Sequence, residues 1–141
     1  MMLVDTNVLL YAVHVEAEHH AVALNWLDRS LSDNETVLLP WMCLIAFIRP
    51  STHPSVYERP QSVAESLEIV EAWLGLPNVV TDQPDGHHAH RIGDILEVVG
   101  GRGNLVNDAH LAALASQFDA TVISYDNDFS RFPGIRWERP R

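Results

Sequence analysis

Residues 1–10 read MMLVDTNVLL. An aspartate, Asp5, interrupts an apolar run and is followed by Thr6 and Asn7, after which Val8, Leu9, Leu10 and Tyr11 resume it. Leu3 to Asp5 reads as the end of a short buried strand. A lone carboxylate in apolar surroundings is costly unless it is paired or holds a metal. Two uses compete for Asp5: a cap for a helix that follows, or a metal ligand at a strand end.

Working outward from that strand, strands and helices alternate. His20, Leu24, Leu27 and Leu31 have helical spacing, which predicts a helix over roughly 17–31. Thr36 to Leu39 is a second strand, stopped by Pro40. Trp41 to Arg49 is a short apolar helix ending near Pro50. Ser62-Val-Ala-Glu65 is a capping box; it opens a helix with Val63, Leu67, Val70 and Leu74 on one face, closed by Gly75 and Pro77. Val79 to Thr81 is a third strand. Ile92, Ile95, Leu96 and Val99 mark another helix, ended by Gly100-Gly101. Asn104 is the expected cap of the helix carrying NDAHLAALA. Thr121 to Ser124 is a fourth strand, and Ile135 to Trp137 a candidate fifth on an edge. This alternation implies an α/β fold whose parallel sheet is covered on both faces.

The chain has 141 residues, enough for a single domain spanning 1–141. Its longest apolar stretch, Val37 to Ile48, contains Pro40 and is too short to span a membrane. The N-terminus lacks the basic region of a signal peptide. The only cysteine, Cys43, excludes an intrachain disulfide, and the expectation is a cytoplasmic protein. Its neighbours Met42 and Leu44 describe an apolar site that raises a thiol pKa, which argues against a catalytic cysteine. The net charge is −10, and all 9 basic residues are arginine. Such a chain is no general nucleic-acid binder, but it can act on nucleic acid where metal ions offset its carboxylates.

In parallel sheets, ligands bind beyond the carboxyl ends of the strands. Asp5 ends the first strand, Asp126 and Asp128 follow the fourth in YDNDF, and Asp108 lies in the first turns of a helix that starts at the same rim. Singly, each has an ordinary use as a cap, a helix-dipole residue or a turn residue. Together they are a candidate site for a hard cation, Mg²⁺ or Mn²⁺.

DTNVLL at the start, NDAHLAALA late in the chain and then ISYDNDFSRFPGI resemble, in that order, the PIN-domain ribonucleases, and most of all the VapC-type toxins of bacterial toxin–antitoxin pairs. The resemblance covers the whole chain. It implies a PIN-like three-layer sandwich, a short and mostly parallel sheet flanked by helices. It implies Mg²⁺- or Mn²⁺-dependent cleavage of RNA by Asp5, Asp108 and Asp126 as catalytic and metal-binding residues. It also implies a homodimer and a cognate VapB-type antitoxin as inhibitor. Asn7, Asp128 and Ser124 are candidates to orient these carboxylates, and Arg49 and Arg102 are candidates for RNA or antitoxin contact. One feature departs from the family: the glutamate usual in the helix after the second strand is absent, with Ala46 at its expected position and no acid between Glu35 and Glu58. Asp128 or Asp94 are candidates to compensate. The rival expectation is a degenerate, non-catalytic PIN-fold binding module.

Other patterns carry less. His87, His88 and His90 match no zinc spacing. GGRGN at 100–104 lacks the ending of a phosphate loop. A receiver-type signalling domain would need a late lysine, and a dehalogenase-like phosphatase would need an acid at Asn7, so both are excluded.

Overall fold

The structure, a computed structural model, describes residues 1–141. Five strands form one sheet in the order β3-β2-β1-β4-β5. They are β1 (Met2–Val4), β2 (Val37–Leu38), β3 (Val79–Val80), β4 (Thr121–Ile123) and β5 (Trp137–Glu138). All four pairings are parallel, so each connection crosses over the sheet. Six helices flank it: α1 (Thr6–Val13), α2 (His20–Ser32), α3 (Trp41–Ser51), α4 (Val63–Leu74), α5 (His88–Val99) and α6 (Val106–Phe118). This is the expected fold class. No helix is long and apolar enough to cross a membrane.

The three central strands have their apolar side chains buried, as a sheet covered on both faces requires. Leu3, Val4, Val37, Leu38, Val122 and Ile123 lie in one core with Val8 and Leu9 of α1, Phe47 of α3 and Leu111 and Leu114 of α6. The strands are very short, and their ends therefore bring loop and helix residues straight to the rim.

The elements differ from expectation where local rules met tertiary packing. A separate helix, α1, begins directly after Asp5. Helix α3 runs through Pro50 to Ser51, two residues past the expected end at Arg49. The capping box at Ser62 is formed: Ser62 Oγ accepts from Glu65 N at 3.1 Å, and Glu65 Oε2 accepts from Ser62 N at 2.7 Å. The buried face of α4 is nevertheless Ser66, Val70 and Trp73, while Val63 and Leu67 are exposed. Trp73 packs its ring 5.1 Å from Phe47, and Ser66 is satisfied by Gln61 Oε1 at 2.7 Å, so the helix turns that face inward. Gly100 closes α5 at φ +61, a conformation that favours glycine. Asn104 does not cap α6. It sits inside a 3₁₀ turn, Gly103–Leu105, whose buried Leu105 leads into the helix.

Candidate active site

Strands β1 and β4 are neighbours with Val4 level with Ile123, so the residues that follow them, Asp5 and Ser124, emerge side by side. Asp5 serves as N-cap of α1: its Oδ1 accepts from Thr6 N at 2.7 Å. Its Oδ2 accepts from Asn7 Nδ2 at 2.8 Å and from Ser124 Oγ at 2.6 Å. Asp5 is only 9% exposed, and burial raises its pKa against the three hydrogen bonds that favour the carboxylate. Ser124 Oγ also accepts from Asp126 N at 2.9 Å, while Asn7 Oδ1 accepts from Tyr125 N at 3.1 Å. Asn7 and Ser124 thus tie the end of β1 to the loop after β4, and both hold Asp5 in place.

Beyond Ser124 the chain enters a 3₁₀ turn, Asn127–Arg131, capped by Asp126, whose Oδ1 accepts from Asp128 N at 2.8 Å. Asp128 Oδ1 lies 3.3 Å from Arg131 Nη1. Asp108 is the third residue of α6, where the helix dipole favours negative charge. The Asp108, Asp126 and Asp128 side chains each offer an oxygen, and these oxygens lie within 4.8 Å of one another. Partial burial pushes the Asp108 carboxyl up to about 6, and the charges of Asp126, Asp5 and Asp128 push it the same way.

Three converging carboxylates could hold a metal ion, and an all-oxygen set of this kind suits a hard divalent cation. The donors are all carboxylate oxygens, none comes from histidine or cysteine, and Asp108 accepts no hydrogen bond from the chain that would engage its oxygens.

Of the expected ligands, Asp108 and Asp126 meet directly. Asp5 lies beside them, coupled by charge to both, with its oxygens engaged by Thr6, Asn7 and Ser124. Asp128, expected only to orient or compensate, is the third member of the tight cluster. Its placement depends on the 3₁₀ turn, and the i,i+2 spacing of the acids in YDNDF is the sequence signal for it. Asp94 is remote in role: it is exposed on α5 and 3.4 Å from His90. No carboxylate stands on α3. Its side nearest Asp5 and Thr6 carries Cys43, fully buried, whose thiol burial pushes up to about 12. Arg49 and Arg102 are exposed and form no ion pair; Arg49 lies along a shallow depression with Pro50, His53 and Val56. His87 and His90 are surface residues of the α5 start, whereas His88 Nε2 lies 2.7 Å from His110 Nδ1, an α5–α6 contact.

The profile of the PIN domain family matches residues 2–135. Ribonuclease VapC37 of Mycobacterium tuberculosis (strain ATCC 25618 / H37Rv) is 45% identical over 140 residues, covering 99% of this chain and 97% of that protein. Ribonuclease VapC43 of the same strain is 36% identical over 140 residues, covering 99% and 95%. Among solved structures, VapBC2 from Rickettsia felis bound to a DNA fragment from their promoter superposes with a TM-score of 0.69 at 21% identity, covering 98% of this chain and 97% of that one. Mycobacterium tuberculosis VapC20, described as a Sarcin-Ricin loop cleaving toxin, does so with a TM-score of 0.69 at 15% identity, covering 96% and 99%. These two are likenesses of fold.

Proposed function

The chain belongs to the PIN-domain family, among its VapC members, and from that premise we propose that it is a single-domain endoribonuclease toxin, Mg²⁺- or Mn²⁺-dependent and inhibited by a cognate VapB-type antitoxin. Its relatives at 45% and 36% identity bear the name ribonuclease, and its structural neighbours include VapBC complexes. The observation that carries the reading is the convergence of Asp108, Asp126 and Asp128 within 4.8 Å, with Asp5 locked beside them.

In this reading Asp108, Asp126 and Asp128 hold the cation, and Asp5 supplies the adjoining charge. A divalent cation held there supplies charge neutralisation at the scissile phosphate and activation of the attacking water. The chain's own work is positioning. Ser124 and Asn7 fix Asp5 through its Oδ2, and Ser124 also fixes the Asp126 backbone, so the ligand charges stand in place before substrate arrives. Asp126 spends Oδ1 on its own turn, which leaves Oδ2 for the site. Burial first, and then the charges of Asp126, Asp5 and Asp128, raise the Asp108 carboxyl, and a cation would relieve the charge repulsion. Toxin homodimerisation and RNA as the substrate come to this chain from the family.

The test is direct. RNA incubated with the purified protein should be cut in Mg²⁺ or Mn²⁺, left intact in EDTA, and protected by the cognate antitoxin. Intact RNA under every metal condition would favour the non-catalytic binding module suggested by the missing α3 glutamate.

A further inference from the structure

Three aromatic rings meet beside the loop that carries Asp126: Tyr11 of α1, His19 just before α2, and Tyr125 after β4. His19 and Tyr125 are stacked, with centroids 4.5 Å apart and planes 5° from parallel. Tyr11 closes the group, 5.2 Å from Tyr125 and 5.6 Å from His19, tilted to both. Tyr125 directly precedes Asp126, and its backbone N donates to Asn7 Oδ1, so the ring group adjoins the acids through covalent and hydrogen-bonded neighbours.

Tyr11 and Tyr125 pack in part against the hydrophobic core, and His19 joins them through its ring. All three residues are partly exposed. His19 precedes α2 without making a side-chain cap hydrogen bond, and neither its ring nitrogens nor the Tyr11 hydroxyl bond to the chain. The Tyr125 hydroxyl is buried and finds no partner within the chain. Two arginines engage the turn that follows Tyr125: Arg139 Nη2 donates to Asn127 Oδ1 at 2.8 Å, and Arg131 Nη1 lies 3.3 Å from Asp128 Oδ1.

Single-stranded RNA is held by stacking of unpaired bases on aromatic faces and by arginine at the backbone. We infer that His19, Tyr125 and Tyr11 form a stacking platform for an unpaired base next to the scissile phosphate, with Arg139 and Arg131 reaching the flanking backbone. His19, backed by the Tyr125 ring, presents the outer face. The inference rests on the ribonuclease reading and adds to it the residues that hold the nucleotide beside the cut.

The experiment uses the full chain with short single-stranded RNAs carrying 2-aminopurine at successive positions, and compares wild type, His19→Ala and His19→Phe in Mg²⁺. Wild type should quench the probe at one position next to the cut. His19→Ala should lose that quenching and raise KM about tenfold, the order expected when one base loses its stacking partner. His19→Phe, which keeps a flat ring, should stay within about twofold of wild type on the same scale. Thermal melting of each variant separates lost stacking from lost fold. If wild type cuts RNA but His19→Ala matches it in KM and quenching, or if His19→Phe loses as much as His19→Ala, the platform is wrong while the ribonuclease reading stands. If His19→Ala weakens only antitoxin binding, the rings serve a protein partner and the inference falls. If wild type neither binds nor cuts RNA, the ribonuclease reading itself fails.

Discussion

Ser124 Oγ donates to Asp5 Oδ2 at 2.6 Å, joining residues 119 positions apart. The same oxygen accepts from Asp126 N and from Asn7 Nδ2. One fully buried hydroxyl therefore holds together the end of β1, the start of α1 and the loop that delivers Asp126 and Asp128. The site's charges sit on segments that would otherwise be independent loops.

Removing that hydroxyl tests the arrangement. Ser124→Ala leaves Asp5 short of a donor and Asp126 N short of an acceptor, at a cost of about 1–3 kcal/mol for each group left unsatisfied. We expect a melting temperature lower by several degrees on this basis, and cleavage reduced by more than the loss of folded protein explains. Scanning calorimetry beside single-turnover cleavage reads both. Unchanged values for both would mean that Ser124 is not the tie.

Asp108 sets a pH dependence. Its folded pKa, about 6, lies above its ordinary value of 3.8. The stability it contributes is therefore present below about pH 4 and is lost as pH rises through about 6, where the carboxylate ionises against burial and Asp126, Asp5 and Asp128. A bound cation reverses that penalty and competes with the proton. Mg²⁺ should therefore raise the melting temperature at pH 7.5 and do so much less at pH 5. Asp108→Asn should melt higher than wild type without Mg²⁺ at pH 7.5, and should lose the Mg²⁺-induced rise. A rise equal at both pH values, measured by differential scanning fluorimetry, would remove Asp108 from the cation site.

The sheet was legible because its strands are continuous apolar runs ended by turn-forming or acidic residues, and Asp5, Asp108 and Asp126 all lie at its carboxyl rim. What escaped was set by tertiary contacts. Helix α1 hides in DTNVLLYAV, where eight residues of mostly apolar chain carry too little periodicity to be told from a strand; Asp5 proves to be its cap while keeping its place at the site. The inward face of α4 was misjudged because Trp73 and a hydrogen-bonded Ser66 outweigh the simple apolar stripe through Val63 and Leu67. Asp128 joins the carboxylate cluster only because the chain tightens into a 3₁₀ turn after Asp126; the i,i+2 spacing of the acids marks the pair but does not dictate that turn.

The missing α3 glutamate makes Asp128 informative. If Asp128 fills the third ligand position, Asp128→Asn should weaken Mg²⁺ binding roughly tenfold or more, the scale of a disturbed metal site. Ala46→Glu in that background should recover part of the loss, since it returns a carboxylate to α3. Titration calorimetry gives both affinities. No change on Asp128→Asn would leave Asp128 as a turn residue paired with Arg131.

Asp5→Asn separates charge from shape. Asparagine keeps an oxygen for Thr6 N, but its amide faces Asn7 Nδ2, and Ser124 Oγ already accepts from Asp126 N and Asn7 Nδ2, so the variant should fold with a stability loss of about 1–3 kcal/mol. Cleavage at limiting Mg²⁺ should fall at least a hundredfold, or about 2.7 kcal/mol of transition-state stabilisation. Full activity in that variant would sink the placing of Asp5 in the site.

The antitoxin prediction concerns α3. Trp41 and Ile45, one turn apart, are 46% and 60% exposed, whereas Phe47 on the same helix is fully buried and belongs to the core. Val80 of the edge strand β3 is also exposed. Aromatic and aliphatic side chains left in water on one short helix are the composition of an interface centre, and a chain at −10 attracts a basic partner. An antitoxin with an apolar segment seated along Trp41–Arg49 could direct an arginine at the carboxylates and displace the cation by charge. Hydrogen exchange should then show protection of residues 41–49 on adding antitoxin, and Mg²⁺ affinity should fall in the complex. Trp41→Ala should weaken antitoxin binding about tenfold or more, as truncation of an aromatic anchor does. Protection confined to segments away from α3, with Mg²⁺ binding unaltered, would show that inhibition takes another route.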